Sequence, residues 1–268
     1  MTRDELIANA VKLTDESPGN YISREAALDP SYVGIRIFGH PVFAIGAADD
    51  DIFNKYKSPD VIGDYFIPPA EWLPGAKSVI SFFLPYTERI KTSNAADYKW
   101  PSNEWLHGRY EGQIFMKELS YHIHSLLIGA GHKSLIPAFD DRLRAGVGES
   151  QKRYASSWSE RHAAYACGLG TFGLSNGLIT EKGVCGRFGS VLTDLDLPKD
   201  VRRYDGVYDY CNMCGECVSH CPAGAISING GQNPFKCSDF LDRTSEKHKP
   251  RYGCGKCQVN VPCESAIP

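Results

Sequence analysis

The sequence predicts an α+β protein with a separate cysteine-rich C-terminal unit, and three observations carry that expectation. Helical and strand-like apolar patterns intermix along the chain without the even spacing of βαβ repeats. Eight of the ten cysteines crowd between Cys211 and Cys263, and none occurs before Cys167. Leu195-Asp-Leu-Pro-Lys-Asp has the composition of a linker between the two regions. The expected units are therefore residues 1–204 and 205–268.

Taken in order, residues 3–15 read as a helix with Leu6, Ile7, Ala10 and Val11 on one face, ended by Pro18-Gly19. Val33-Gly-Ile-Arg-Ile-Phe and Pro41-Val-Phe-Ala-Ile read as a strand pair around Gly39-His40. A short capped helix follows at residues 49–56, and Pro74-Gly-Ala-Lys turns into a buried strand closed by Pro85. The longest helix is expected from Asn103 to Ile128, where Phe115, Met116, Leu119, Ile123, Leu126 and Leu127 recur at helical spacing. Gly129-Ala-Gly131 stops it, and Lys133-Ser-Leu-Ile-Pro reads as a strand. Ser157 to Cys167 reads as a helix, residues 168–177 as a glycine-punctuated loop, and Gly189-Ser-Val-Leu-Thr-Asp-Leu as the last strand.

The 268 residues carry a net charge of −3, with 42% apolar and 23% charged residues, as in an ordinary globular chain. No apolar run reaches the ~18 residues that cross a bilayer, so no membrane partner is expected. The N-terminus lacks a signal peptide's apolar core and a twin-arginine signal, so a cytoplasmic location is expected. There is no basic cluster, which weighs against nucleic acid as a general partner.

In a reducing compartment, clustered cysteines are more often metal ligands than disulfides. Cys211-Asn-Met-Cys214-Gly-Glu-Cys217-Val-Ser-His-Cys221-Pro222 is the complete C-x2-C-x2-C-x3-C-P run of bacterial ferredoxins. Three thiolates at two-residue intervals wrap one 4Fe–4S cubane, and the fourth points to a second cluster. Gly215 lets the backbone approach the inorganic sulfides. Carrying over the crossed ferredoxin pattern, one cluster takes Cys211, Cys214, Cys217 and Cys263, and the other takes Cys221, Cys237, Cys254 and Cys257. An inserted loop of 16 residues separates Cys237 from Cys254, and five residues separate Cys257 from Cys263. Zinc also favours C-x2-C pairs, but its sites rarely use four cysteines at this spacing followed by proline.

Gly168-Leu-Gly170-Thr-Phe-Gly173 matches G-x-G-x-x-G, but a helical pattern precedes it where a dinucleotide loop needs a strand. The glycines instead suit a backbone packed against a flat ligand or another segment. Glu160, Arg161 and His162 read as structural, an Arg–Glu pair and a helix-end histidine, although any of them could line a pocket. Cys167 and Cys185 read as buried small side chains, with Cys185 a second candidate as a reactive thiol.

Ala166-Cys-Gly-Leu-Gly-Thr-Phe-Gly, the upstream Pro74-Gly-Ala-Lys-Ser-Val-Ile with Leu84-Pro-Tyr, and the cysteine run occur in an order that resembles the epoxyqueuosine reductase and reductive dehalogenase family. The resemblance spans roughly residues 70–263. It implies a nitroreductase-like cobalamin-binding domain followed by a two-cluster ferredoxin-like domain, with electrons passing through the clusters to the corrinoid. It places the corrinoid against Gly170, Thr171, Phe172, Gly173, Leu174 and Ser175 and against Gly189 and Ser190. Epoxyqueuosine reductases place an aspartate about 13 residues before this glycine segment; that offset lands here on Tyr154, and similar dehalogenases use a tyrosine as acid. Neighbouring Arg153 could lower the phenol's pKa.

Epoxyqueuosine reductases also carry a helical-repeat extension that helps hold tRNA, whereas this sequence stops at Pro268. The expected partners are thus a small-molecule substrate and an external donor of ferredoxin or flavodoxin type, and tRNA is not an expected partner. The competing expectations are an electron-transfer protein serving a separate corrinoid or flavin partner, and a flavin enzyme on the same fold.

Overall fold

The computed structural model describes residues 1–147 and 154–268. Helix α1 (Arg3–Glu16) starts in a capping box: the Thr2 hydroxyl accepts the Glu5 N–H at 3.2 Å, and the Glu5 carboxylate accepts the Thr2 N–H at 2.7 Å. Its inward face is Leu6, Ala10 and Thr14. Strand β1 (Val42–Ala47) follows, then α2 (Asp51–Lys55), capped by Asp50, and α3 (Pro69–Trp72). Strand β2 (Ser78–Pro85) leads through α4 (Glu88–Ala95) to the long helix α5 (Asn103–Gly129), capped by Ser102. Short strands β3 (Ser134–Leu135), β4 (Ala145–Val147) and β5 (Tyr154–Ser156) precede α6 (Glu160–Cys167). The hairpin β6 (Gly170–Phe172) and β7 (Leu178–Thr180) comes next, then β8 (Gly186–Thr193). The tail holds α7 (Glu216–Ser219), β9 (Ile226–Ser227), β10 (Gly231–Gln232) and α8 (Pro234–His248).

The main sheet runs β1-β2-β8-β3, antiparallel throughout. Its strands are apolar on both sides, and the twofold alternation sorts them into two cores. Ile45, Ile80, Phe82 and Val191 pack with Phe115, Leu119 and Ile123 of α5. Ala44, Val79 and Leu192 pack on the other side with Ala163, Ala164 and Cys167 of α6. The sheet is therefore sandwiched between α5 and α6, the mixed helix-and-sheet architecture expected.

Two local expectations are corrected. Residues 33–38 do not pair with β1; β1 pairs with β2, from Val42↔Phe83 to Ala47↔Ser78. A strand buried on both faces needs a neighbour on both edges, and β2 takes β1 and β8. The backbone of Phe38 is held instead by the Asn20 side chain, which donates to its carbonyl at 3.0 Å and accepts its N–H at 2.9 Å. Residues 168–177 are more than a loop, since they contain β6 and most of the turn to β7. A Cβ on Gly170 would lie 1.9 Å from the Ile179 carbonyl oxygen, so glycine is what allows the hairpin to close. The segment runs from a helix into a strand, the reverse of the order that a dinucleotide loop needs.

The cysteine-rich tail is clamped onto the first 200 or so residues. Arg251 forms an ion pair with Glu111 of α5 and donates to the Ala26 carbonyl at 2.7 Å. Burial works against ionising Glu111, but His107 and Arg251 outweigh it and hold the carboxyl below its usual range. Buried Lys256 donates to the Asn94 carbonyl, and the Asn94 amide donates to the Cys254 carbonyl at 3.0 Å. The Val184 N–H donates to the Cys263 carbonyl at 2.9 Å. The expected linker is also tied down: the Asp200 carboxylate accepts from Ile45 N–H at 2.8 Å and from Arg3 at 2.9 Å.

Gly255 is the tightest of these contacts, at φ +68°, where an added Cβ would lie 1.8 Å from the Trp105 ring. Gly34, at φ +81°, has open space around it. Gly34→Ala is expected to cost only the left-handed strain of about 1–2 kcal/mol, and Gly255→Ala about 1–3 kcal/mol more from overpacking. Thermal unfolding of the metal-loaded variants checks this; equal losses would mean that the Trp105 contact does not set the tail's position.

Candidate functional site

The eight cysteines of the tail fall into two groups. Cys211, Cys214, Cys217 and Cys263 border one small cavity, together with Gly173, Leu174 and Ser175. The run reaches it through left-handed residues at Met213 and Gly215, after which α7 carries Cys217 inward. Cys263 arrives from the other side, positioned by its bond to Val184. Burial first, and then Cys211 and Cys214, push the Cys217 thiol up to about 11. Burial, then Cys217 and Cys211, push Cys263 up to about 12.

Cys221, Cys237, Cys254 and Cys257 instead share the wall of a much larger cavity. Burial raises Cys254 to about 11, with Cys237 adding to the shift; burial and then Cys254 raise Cys257 far above the usual thiol range. Crowded thiols of this kind resist ionisation until a cation compensates them, which is the donor chemistry of a metal centre. Among the described residues no three His, Cys, Asp or Glu side chains converge as ligands of one ion would. A cubane does not need such convergence, because each thiolate binds a different iron. The Ala225 N–H donates to the Cys221 sulfur at 3.2 Å, the kind of bond that tunes an iron–sulfur potential. The expected inserted loop between Cys237 and Cys254 is mostly helix α8, whose Phe240 stacks on Trp100 and reaches the cavity.

The larger cavity has a volume of about 600 Å³ and lies between α5, the start of α6, β8 and the tail. Its size, and a mostly apolar lining with a few polar groups, are those of a site for a sizeable organic ligand. Helix α5 contributes Trp105, Arg109, Gln113 and Met116, spaced along one face. Arg109 lies over the Tyr252 ring at 4.4 Å, and Arg187 of β8 donates to the Gln113 side chain. The Nε atoms of both arginines are buried without a hydrogen-bond partner, as are both carboxylate oxygens of Glu160. Such orphans are rare in folded proteins unless a ligand or water completes them.

Burial pushes the Glu160 carboxyl up to about 8, against the opposing pull of the Ser190 and Trp158 donors, which lie beside it but beyond normal hydrogen-bond length. The positive end of α6 favours the anion by about 0.3–1 kcal/mol, less than the 1.36 kcal/mol of a single pKa unit, so burial wins. Glu160 and Arg161 do not pair, contrary to the expectation for this triplet. Arg161 donates to the Asn176 carbonyl, and both side chains line the cavity. His162 is structural: it bonds Ser159 at 2.8 Å and packs on Phe172, and burial pushes it down to about 4.

Of the residues expected at a corrinoid, only Ser175 borders the large cavity. Gly173 and Leu174 face the first cysteine group. Gly170, Thr171 and Phe172 are buried in the hairpin, where the Thr171 hydroxyl accepts the Tyr210 N–H at 2.8 Å. Gly189 abuts the Phe82 ring, and Ser190 accepts the Trp158 indole N–H at 3.0 Å. Tyr154 opens β5, but its side chain and Arg153 lie outside the described residues. Glu160 reads from sequence as structural with a pocket position left open, whereas Arg109, Gln113 and Arg187 were missed as site residues. Their signal was the row of polar residues at positions 109 and 113, on a face of α5 otherwise bounded by Trp105 and Met116.

Residues 206–227 match the family described as the 4Fe-4S binding domain. The chain is 28% identical over 221 residues to the epoxyqueuosine reductase of Bacillus cereus, covering 78% of this chain and 53% of that one. It is 45% identical over 111 residues to the tetrachloroethene reductive dehalogenase of Desulfitobacterium hafniense, covering 39% and 20%. Two solved structures share the fold over 98% of this chain. One is an epoxyqueuosine reductase with an epoxyqueuosine-modified tRNA-Tyr stem loop, at TM-score 0.56, 17% identity and 65% of its own chain covered. The other is the catabolic reductive dehalogenase NpRdhA in complex with 3-bromo-4-hydroxybenzoic acid, at TM-score 0.56, 16% identity and 36% covered. The chain spans about half the length of the curated relatives it matches. One protein of this fold holds a tRNA stem loop, which runs mildly against the expectation that tRNA is not a partner. Net charge averages over the whole surface and is blind to a local docking site. No helix among the described residues is long and apolar enough to cross a membrane.

Glu160 has a folded pKa of about 8, above the ordinary 4.5. Its contribution to stability is therefore fully present below about pH 4.5 and is lost as pH rises through 8. The melting temperature of the native protein, compared with Glu160→Gln, should fall between pH 5 and about 9, at up to about 1.4 kcal/mol per pH unit. A difference that stays flat would show that Glu160 ionises normally. Cys167 is pushed up to about 12 and Cys185 far above its usual range by burial, and both are buried. Neither is expected to react with iodoacetamide until the protein unfolds, as peptide mass mapping would reveal; this removes Cys185 as a reactive thiol.

Proposed function

We propose that this chain, a relative of epoxyqueuosine reductases and reductive dehalogenases over most of its length, is a corrinoid-dependent reductase that passes electrons through two 4Fe–4S clusters. Residues 1–204 are its nitroreductase-like cobalamin-binding domain, and residues 205–268 its two-cluster ferredoxin-like domain. Cys211, Cys214, Cys217 and Cys263 hold one cluster; Cys221, Cys237, Cys254 and Cys257 hold the other. The observation that carries the reading is that the second four thiols form one wall of the 600 Å³ cavity, so electrons arriving there face whatever fills it. Cys214 is exposed, which suits the first cluster to receive electrons from an external ferredoxin or flavodoxin type of donor.

The fit of the cavity to part of a corrinoid rests on its aromatic and aliphatic walls and its orphaned arginine and carboxyl atoms. Cobalamin supplies a cobalt centre that can take electrons from a neighbouring cluster and pass them to a substrate carbon. Trp105, Trp158 and Phe240 exclude water and offer flat surfaces, and the free Nε–H groups of Arg109 and Arg187 can donate to amide or anionic oxygens of the ligand. Tyr154 remains the acid that the family resemblance suggests. The substrate is proposed to be a small molecule, in a cytoplasmic setting where free thiols persist. A tRNA substrate is the second reading, favoured by the stem loop bound to a protein of the same fold.

Anaerobically purified protein should contain about eight irons and eight sulfides per chain, four of each per cluster. Cys263→Ser should lose about half of both; zinc in place of iron would overturn the cluster assignment. Hydroxocobalamin should be retained at about one per chain after gel filtration, and no retention removes the corrinoid. Tyr154→Phe should slow substrate turnover while both clusters and the corrinoid stay bound, and an unchanged rate takes Tyr154 out of the mechanism. A band shift with a tRNA stem loop separates the second reading from the first.

A further inference from the structure

Glu160 is the first residue of α6, and its two carboxylate oxygens are buried without a hydrogen-bond partner. It lines the large cavity opposite the tail. The groups around it are unusual for a carboxylate. Trp158 and the β8 hydroxyl of Ser190 flank it, but their own bond joins indole N–H to hydroxyl oxygen at 3.0 Å. From its own element, Arg161 turns to the Asn176 carbonyl, and His162 turns to Ser159. From α5 and β8, Arg109 and Arg187 share the cavity but make no ion pair with it, and from the tail only thiols face the same space as titratable groups. The N-terminus of α6 and the nearby Ser190 and Trp158 donors favour a negative charge at this position, but no cationic side chain among the described residues pairs with it and burial outweighs them.

A buried carboxyl group without a partner keeps its proton, because neutralising itself costs less than carrying an unsolvated charge. Protonated, it has one O–H donor that no protein group takes up in a normal-length hydrogen bond, and the carboxyl lines the cavity. We propose that Glu160 stands in the cavity as a neutral carboxylic acid and is a proton donor to the compound reduced there. The inference rests on the reductase reading only for its electrons. Reductive cleavage of a carbon–bromine bond, as a simple case, consumes two electrons and one proton and yields a C–H bond and bromide. The electrons come from the external donor through the clusters. The proton leaves the Glu160 O–H as the C–H bond forms, and the carboxylate then takes a proton from water. Glu160 would act beside Tyr154 or in its place.

Dicyclohexylcarbodiimide, which modifies protonated carboxyls in apolar surroundings, tests the protonation state without any substrate. In the cluster-loaded protein, peptide mass mapping should find Glu160 labelled at pH 7 and progressively less above about pH 8. No labelling at pH 7, in protein where another carboxyl is labelled, overturns the proposal. Bound hydroxocobalamin should protect Glu160; labelling that persists undiminished in protein retaining one corrinoid shows that the residue does not face the occupant. Failure to retain hydroxocobalamin defeats the corrinoid reading alone, and the pH profile of labelling still decides the acid. For proton delivery, corrinoid-loaded protein is given reduced methyl viologen and an alkyl bromide. Glu160→Gln keeps the shape and the hydrogen-bond donor but has no acidic proton, and it should lower the rate about a hundredfold or more with iron content unchanged. Glu160→Asp should recover part of the loss and keep a decline above neutral pH. Equal rates for native protein and Glu160→Gln overturn the donor role.

Discussion

The clamp between the cysteine-rich tail and α5 is the contact on which the remaining structure depends. The tail buries few apolar side chains of its own, chiefly Ala225, Ile226, Phe240, Val259 and Val261, too few for a stable independent core. It gains a fixed position from Gly255 against Trp105, Arg251 against Glu111 and Lys256 against Asn94. Each anchor lies close to a cysteine in sequence or on the α5 face that lines the cavity. The same contacts that hold the tail therefore set the distance between four thiols and the α+β layer, and the cavity is the space left between them.

Charge inside that space follows from burial. Thiols in two tight groups are driven toward their neutral forms by desolvation and by each other, so they demand metal before they can ionise together. Arginines at positions 109, 161 and 187 line the same cavity as the second group, where a thiolate-bound cluster would carry negative charge. Glu160 is kept out of ion pairs with them, although three guanidinium groups share its cavity. Pairing would have pulled the carboxyl toward its charged form; separation leaves burial as the dominant influence.

Much of the fold could be read from the chain because its signals were local. Helix α5 announced itself through the helical spacing of its apolar residues from Phe115 to Leu127, and α1 through Leu6, Ile7, Ala10 and Val11 on one face. The failures came where a tertiary partner outbid local preference. Val33 to Phe38 has a strand-like composition, but the Asn20 side chain takes the Phe38 backbone bonds that a strand would have offered. The glycines after Cys167 looked like a ligand-binding loop, and Gly170 serves a hairpin in which a carbonyl passes too close for any side chain.

The sequence by itself determined the chemistry of the tail. Thiol spacing along a short backbone restricts which sulfurs can meet, and so the C-x2-C-x2-C-x3-C-P run is informative without coordinates. It also determined the α+β class, since helical and strand periods are written into the order of apolar residues. The crossed ferredoxin pattern already grouped Cys263 with Cys211, Cys214 and Cys217, and the tertiary structure brings all four to one small cavity despite the distance of Cys263 along the chain. Tertiary structure alone brought Arg109, Glu160 and Arg187 from three different elements to one cavity wall. The physical reason is that burial and pairing belong to a place rather than to a residue. A glutamate at the start of a helix ordinarily reads as a solvated charge, and only the walls closing around Glu160 remove the water and the partners that would keep it ionised.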